Sequence, residues 1–124
     1  MSLLFKLEMY AIVSYCIDVW KTLGYGFSET IYKDAMEREF FENQLPYIRE
    51  NELPVYYKGK TLPHKFRADF LLFDDIVVEV KSGEEGINNM AISQTLNYLK
   101  ASGFRVGLII NFGKSKMEYT RLIT

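Results

Sequence analysis

Phe66-Arg67-Ala68-Asp69-Phe70 sets an acid within a hydrophobic strand, and ten residues on, Glu79-Val80-Lys81 sets an acid and a lysine within the next. Side chains alternate across a strand, so Glu79 and Lys81 share one face and Val78 and Val80 the other. Two carboxylates at one sheet edge can hold a divalent cation, and a lysine beside them can meet a phosphate. This set suits cutting a phosphodiester. A strand-end lysine ordinarily just reaches solvent; Glu79 on the same face favours the chemical reading of Lys81.

The elements that must position these residues alternate helix and strand, with no linker or repeat. From Leu3 to Leu23, apolar residues at Met9, Ile12, Val13, Cys16, Val19, Trp20 and Leu23 follow helical spacing. Gly24-Tyr25-Gly26 ends that helix. Ser28 reads as the N-cap of a second helix, Glu29 to Asn43. Tyr47 to Glu50 and Pro54 to Lys58 read as short strands, with a turn at Lys58-Gly59-Lys60. Lys65 to Phe73 and Ile76 to Lys81 form a hairpin about Asp74-Asp75. Ile87 to Ser102 is a third helix. The apolar run Phe104 to Asn111 reads as a central strand buried on both faces, and Met117 to Ile123 as a last strand. The predicted order is α-α-β-β-β-β-α-β-β in an α/β fold. The whole chain, residues 1–124, reads as a single domain.

Composition sets bounds. A chain of 124 residues with 48% hydrophobic content is one compact domain with a real core. The net charge of −1 announces no basic field. Its distribution is uneven: residues 1–57 carry 5 basic and 9 acidic side chains, residues 58–124 carry 10 and 7. The basic excess lies in the half with the acid–lysine motif, although surface fluctuation gives such differences too. Cys16 is the only cysteine, which excludes an internal disulfide and a cysteine zinc site and fits a cytoplasmic location. Charges interrupt the first apolar stretch, whose longest uncharged run is the nine residues Met9 to Ile17, so no membrane span is expected. No phosphate-binding glycine loop or serine elbow is present. Tyr56-Tyr57 could stack bases but is read more simply as sheet packing.

Ile87, Ala91, Gln94, Tyr98 and Ala101 fall on one stripe of the third helix, where a glutamine interrupts an apolar face. A buried amide without partners costs ~1–3 kcal/mol. Gln94 either caps a neighbouring strand's backbone or lies at the rim, or it joins Tyr98, one turn on, in a polar cluster beside the acids. Arg67, two residues before Asp69, shares its strand face and either contacts a phosphate or pairs with a nearby acid. His64 stands alone in a loop and is left aside.

Asp69, Glu79-Val80-Lys81 and Gln94-x-x-x-Tyr98 together resemble the PD-(D/E)XK, or restriction-endonuclease-like, nuclease superfamily. Within it the chain is similar to the GxxExxY family, through Gly26-Phe27-Ser28-Glu29-Thr30-Ile31-Tyr32. Further family-like blocks are Leu23-Gly24, Leu53-Pro54-Val55-Tyr56-Tyr57-Lys58-Gly59 and Gly107-Leu108-Ile109-Ile110-Asn111-Phe112, so the likeness runs from about residue 9 to 124. Tyr25 stands where relatives often have proline, Trp20 where they often have histidine, and Ala68 at the superfamily's motif proline. Tryptophan binds no metal, so any such role of that histidine is lost.

The resemblance implies a mixed β-sheet flanked by helices, and a metal-dependent nuclease. Asp69 and Glu79 would be the catalytic metal-binding pair, with the backbone carbonyl of Val80 a further ligand for Mg²⁺ or Mn²⁺. Lys81 would orient the attacking water or hold the phosphate. Gln94 and Tyr98 would position that lysine or contact the substrate backbone. Glu29 would stand near the metal, or it simply complements the helix dipole, worth ~0.3–1 kcal/mol. Tyr32, one turn on, would be a core aromatic with its hydroxyl bonded to the site. The expected partner is nucleic acid, DNA ahead of RNA, in repair or defence, with a homodimer the easiest route to double-strand cleavage. Two rival readings stay open: a non-catalytic nucleic-acid- or protein-binding module that keeps the fold, and a subunit of a larger repair or defence complex.

Overall fold

The structure, a computed structural model, describes residues 5–124. Its elements are α1 Lys6–Leu23, α2 Glu29–Glu42, β1 Tyr47–Leu53, β2 Tyr56–Tyr57, β3 Lys60–Thr61, β4 Phe66–Leu72, β5 Ile76–Lys81, α3 Asn89–Ser102, β6 Val106–Asn111 and β7 Glu118–Ile123. Leu3, where the sequence pattern starts the first helix, lies outside the described residues. Five strands form one mixed sheet in the order β1-β4-β5-β6-β7. Only β5 and β6 run parallel, joined by the crossover through α3; the other neighbours are antiparallel.

The helices cover both faces of the sheet. The apolar stripe of α1 (Met9, Ile12, Val13, Cys16, Val19) and that of α2 (Tyr32, Met36, Phe40) pack on Phe70, Leu72, Val78, Val80 and Ile110. On the other face Leu99 of α3 packs with Phe66, Ala68, Val77 and Ile109. Strand β6, covered on both sides, is buried at every position, as its unbroken apolar run requires. No helix among the described residues is long and apolar enough to cross a membrane.

Three local expectations are corrected. Pro54 to Lys58 is not a strand of the main sheet. Tyr56–Tyr57 pairs with Lys60–Thr61 in a separate hairpin, which adds one strand to the predicted order. Lys58 (φ 50°) and Gly59 (φ 80°) are both left-handed, the signature of a type I′ turn, so Tyr56 and Tyr57 stand exposed instead of packing in a sheet. Helix α3 begins at Asn89 rather than Ile87, because the Asn88 side chain accepts the Ala91 N–H at 2.8 Å and caps it there. The buried row of α3 is Thr95, Leu99 and Ser102. Gln94 is exposed, so it does not interrupt a buried face; the sheet contacts the helix one position further round.

Strands β1 and β4 exchange faces midway. Tyr47 packs on the α1–α2 side and Leu53 on the α3 side, although an even spacing separates them. Likewise Phe70 and Leu72 face α1–α2, but Phe66 and Ala68 face α3. The reversal falls where the ladder skips from Arg49↔Phe70 to Asn51↔Ala68, leaving Glu50 and Asp69 opposite each other. Glu50 takes φ 55° there, a conformation that L residues rarely adopt. Asp69 thus sits at the point where the sheet changes sides.

Candidate active site

Strands β4 and β5 pair at Leu72↔Ile76, Leu71↔Val77 and Phe70↔Val78. Beyond that the Asp69 side chain takes over from the backbone: its Oδ2 accepts the Val80 N–H at 2.7 Å. The carboxylate is thus wedged between the strands and held by a charge-assisted bond. Its Oδ1 accepts from Lys33 Nζ of α2 at 3.0 Å, and Lys33 also pairs with Glu50. Burial pulls the Lys33 pKa down, but the bonds to Glu50 and Asp69 outweigh it and leave the pKa raised.

Glu79 occupies the next strand, and its Oε1 is buried with no hydrogen-bond partner. Burial above all, then the neighbouring Asp69 carboxylate, push its pKa up to about 9, against the opposing pull of Lys81 and Lys33. An orphaned acid oxygen beside a second carboxylate is an arrangement that a divalent cation satisfies. Among the described residues no three acids, histidines or cysteines gather into one metal-holding group. The available donors are therefore the two carboxylates, the backbone and water, which suits a hard ion that retains water, as Mg²⁺ does. Cys16 is buried in the core, and burial pushes its thiol pKa up, so it offers neither ligand nor nucleophile here.

Glu79, Lys81, Gln94, Thr95, Tyr98 and Phe66 line one cavity of about 230 Å³. Lys81 and Gln94 also line a neighbouring cavity of about 310 Å³, whose walls include Glu29, Ser82, Gly83 and Met90. Lys81 and Gln94 are thus common to two adjoining cavities, with Glu79 and Tyr98 on the first and Glu29 on the second. Gln94 Nε2 donates to the Tyr98 hydroxyl at 3.2 Å, and the Tyr98 ring stacks on Phe66 with centroids 4.0 Å apart. Asp69 and Val80 line neither cavity, Asp69 lying between the strands and Val80 in the core, and two further residues stand apart. Arg67 is exposed and lines neither cavity; the face reversal at Asp69 breaks the two-residue rule that would have put them on one side. Tyr32 is fully buried and stacks on Phe112 at 4.3 Å. Its hydroxyl donates to the Gly24 carbonyl at 2.7 Å and accepts from Phe27 N–H at 3.3 Å, which fixes the loop leading to Glu29.

Sequence reasoning missed Lys33, Glu50 and the role of Asn111. The Asn111 side chain is buried at the end of β6. Its Oδ1 accepts the N–H groups of Gly83 (2.9 Å) and Gly113 (3.1 Å), and its Nδ2 donates to Gly83 O (2.9 Å) and Glu118 (3.0 Å). The bond from Asn111 leads the effects that hold Glu118 below the usual carboxylate range. Asn111 so fastens the loop after Lys81 to the neighbouring strand, and Ser82 ties the same loop to the Phe27 carbonyl. A polar residue closing an apolar strand run was the available signal.

A family model described as the PD-(D/E)XK nuclease superfamily matches residues 6–122. No curated protein matches the chain. Among solved structures, the crystal structure of SSO0001 is similar in fold, with a TM-score of 0.59 at 20% identity over 76% of this chain. The chain spans about half of that structure, 48% of its length. An alkaline exonuclease from Laribacter hongkongensis aligns over 99% of this chain and 72% of its own at 11% identity, with a TM-score of 0.43.

Proposed function

This chain belongs to the PD-(D/E)XK nuclease superfamily, and from that premise we propose that it is a divalent-cation-dependent nuclease hydrolysing the phosphodiester bonds of DNA. The Gly26…Glu29…Tyr32 signature further supports a place in the GxxExxY family. The observation that carries the functional reading is the buried, unpartnered Glu79 Oε1 beside Asp69, in a cavity shared with Lys81. Burying an ionisable oxygen with no partner costs stability unless an ion or proton completes it.

Asp69, Glu79 and the Val80 carbonyl would hold Mg²⁺ or Mn²⁺. Such a cation supplies Lewis acidity, easing loss of a proton from water and offsetting charge on the phosphate. The protein does the rest. Wedged against Val80 N–H, Asp69 is kept from rotating away. Lys81 offers an ammonium to the scissile phosphate or to the attacking water from the same strand face as Glu79. With its amide N–H₂ given to Tyr98, Gln94 leaves its carbonyl oxygen to accept from Lys81 or substrate. Glu29 lines the larger of the two cavities with Lys81 and Gln94.

The test is cleavage of plasmid and single-stranded DNA with Mg²⁺ or Mn²⁺ by wild type, Asp69→Ala and Lys81→Ala. Metal-dependent cutting by wild type alone is expected; equal activity in all three sinks the proposal. One observation favours a second reading, a binding module without turnover: the Lys33 ammonium already neutralises Asp69. That reading predicts tight nucleic-acid binding with no metal-dependent cleavage.

A further inference from the structure

The excursion between β1 and β4 has a chemistry of its own. It leaves and rejoins the sheet at Leu53 and Phe66, which are buried register partners. Residues 56–65 between them are exposed at every position. From Pro54 to Arg67 the sequence holds Lys58, Lys60, Lys65 and Arg67 and no acid, in a chain whose net charge is −1. The hairpin β2–β3 at its tip exposes Tyr56 (52%) and Tyr57 (58%). Tyr57 is paired across the hairpin with Lys60, and the Lys58 ammonium lies 5.4 Å from the Tyr57 ring centroid. Lys58 does this from a left-handed backbone (φ 50°), where asparagine or glycine would sit at less cost. The foot of the excursion, Phe66, is a wall of the cavity holding Glu79 and Lys81.

An exposed aromatic ring with a lysine over one face and a second lysine across the hairpin fits a strand of unstacked bases joined by phosphates. A duplex keeps its bases stacked and offers the ring nothing. We propose that the β2–β3 hairpin is an arm that binds single-stranded nucleic acid beside the cavity, with Tyr57 stacking on a base and Lys58 and Lys60 taking the adjacent phosphates. This deepens the nuclease reading and rests on it for the identity of the substrate. The arm delivers a single strand, or the frayed end of a duplex, to the opening between Lys81 and Gln94.

The probe is a fluorescent oligothymidylate, with a labelled duplex and polyglutamate for comparison, measured by anisotropy in EDTA so that no cleavage intervenes. Wild type should bind the single strand with an affinity that falls with salt. Lys58→Asn retains the turn, since Asn-Gly is the favoured type I′ pair. Combined with Lys60→Gln, it should reduce the log–log salt slope by roughly 1.4, about 0.7 for each lost phosphate contact. Tyr57→Ala should weaken single-strand binding roughly tenfold or more and leave duplex binding unchanged, and Tyr57→Phe should restore it. Unchanged affinity and slope in these variants, or equal binding of polyglutamate, overturns the arm. If wild type cleaves with Mn²⁺ but the arm variants bind normally, the arm fails and the nuclease reading stands. Binding that depends on the arm without cleavage sinks the nuclease reading alone.

Discussion

Lys33 and Asp69, 36 residues apart in the chain, meet at 3.0 Å in an ion pair whose lysine side chain is only 12% exposed. The helix-borne cation stands beside the motif acid and also holds Glu50 opposite it. Lys33→Met removes the counter-charge from both acids. Loss of about 1–3 kcal/mol of metal-free stability is expected, read by urea denaturation. A double-mutant cycle with Asp69→Asn should show coupling between the two sites, and strictly additive losses would refute the pair's energetic role.

Cation binding should stabilise the fold. An ion that binds only the native state at 100 times its dissociation constant adds about 2.7 kcal/mol. Millimolar Mg²⁺ or Mn²⁺ should therefore raise the Tm of wild type and leave Glu79→Gln and Asp69→Asn unmoved. A Tm unchanged in wild type across that range contradicts the metal site.

The raised Glu79 pKa fixes the sign of a pH effect in the metal-free protein. Between the unperturbed value of 4.5 and the folded value of about 9, the folded state keeps a proton that the unfolded chain has released. This contribution to stability is complete below 4.5 and is lost as pH rises through about 9. Metal-free stability should thus decline on this account across that window, and Glu79→Gln should flatten the slope. An equal slope in wild type and variant would show that another group governs it.

Asn111 should matter to the site without touching it. Asn111→Ala breaks the bonds to Gly83, Gly113 and Glu118 and leaves buried backbone groups unpaired. A loss of about 1–3 kcal/mol is expected, with faster amide exchange confined to residues 82–86. Exchange unchanged there would mean that the loop is held by other contacts.

Gly113→Ala attacks the same loop from the other side. An added Cβ would lie 2.3 Å from the Gly83 nitrogen, a collision with backbone that no rotamer relieves. Destabilisation by about 1–3 kcal/mol is expected, with nuclease activity falling further than stability. Normal stability and activity would show that the two loops are free to separate.

Much was legible because it depends on short-range pattern. The stripe of α1, the apolar run of β6 and the pairing of β4 with β5 follow from periods of 3.6 and 2, although the turn centres on left-handed Phe73 and Asp74, one residue before the expected Asp74-Asp75. The placing of Asp69, Glu79 and Lys81 on adjacent strands was legible from residue type and spacing. Gln94 was found, but it was assigned to a buried face, because periodicity fixes the angle between side chains and leaves open which angle meets the sheet. The Tyr56–Tyr57 segment was taken for sheet, since nothing local tells a detached hairpin from an edge strand.

The sequence by itself determined the elements and the motif residues, because both are written in neighbours a few positions apart. Tertiary structure alone decided which charges those residues meet. Lys33 and Glu50 look like ordinary solvated residues on a helix and an edge strand until α2 docks and the face reversal at Glu50 and Asp69 turns the acid toward Val80. Long-range electrostatics depends on docking angle and strand sidedness, and a single left-handed residue such as Glu50 at φ 55° resets the second without leaving a mark in the alternation of the sequence.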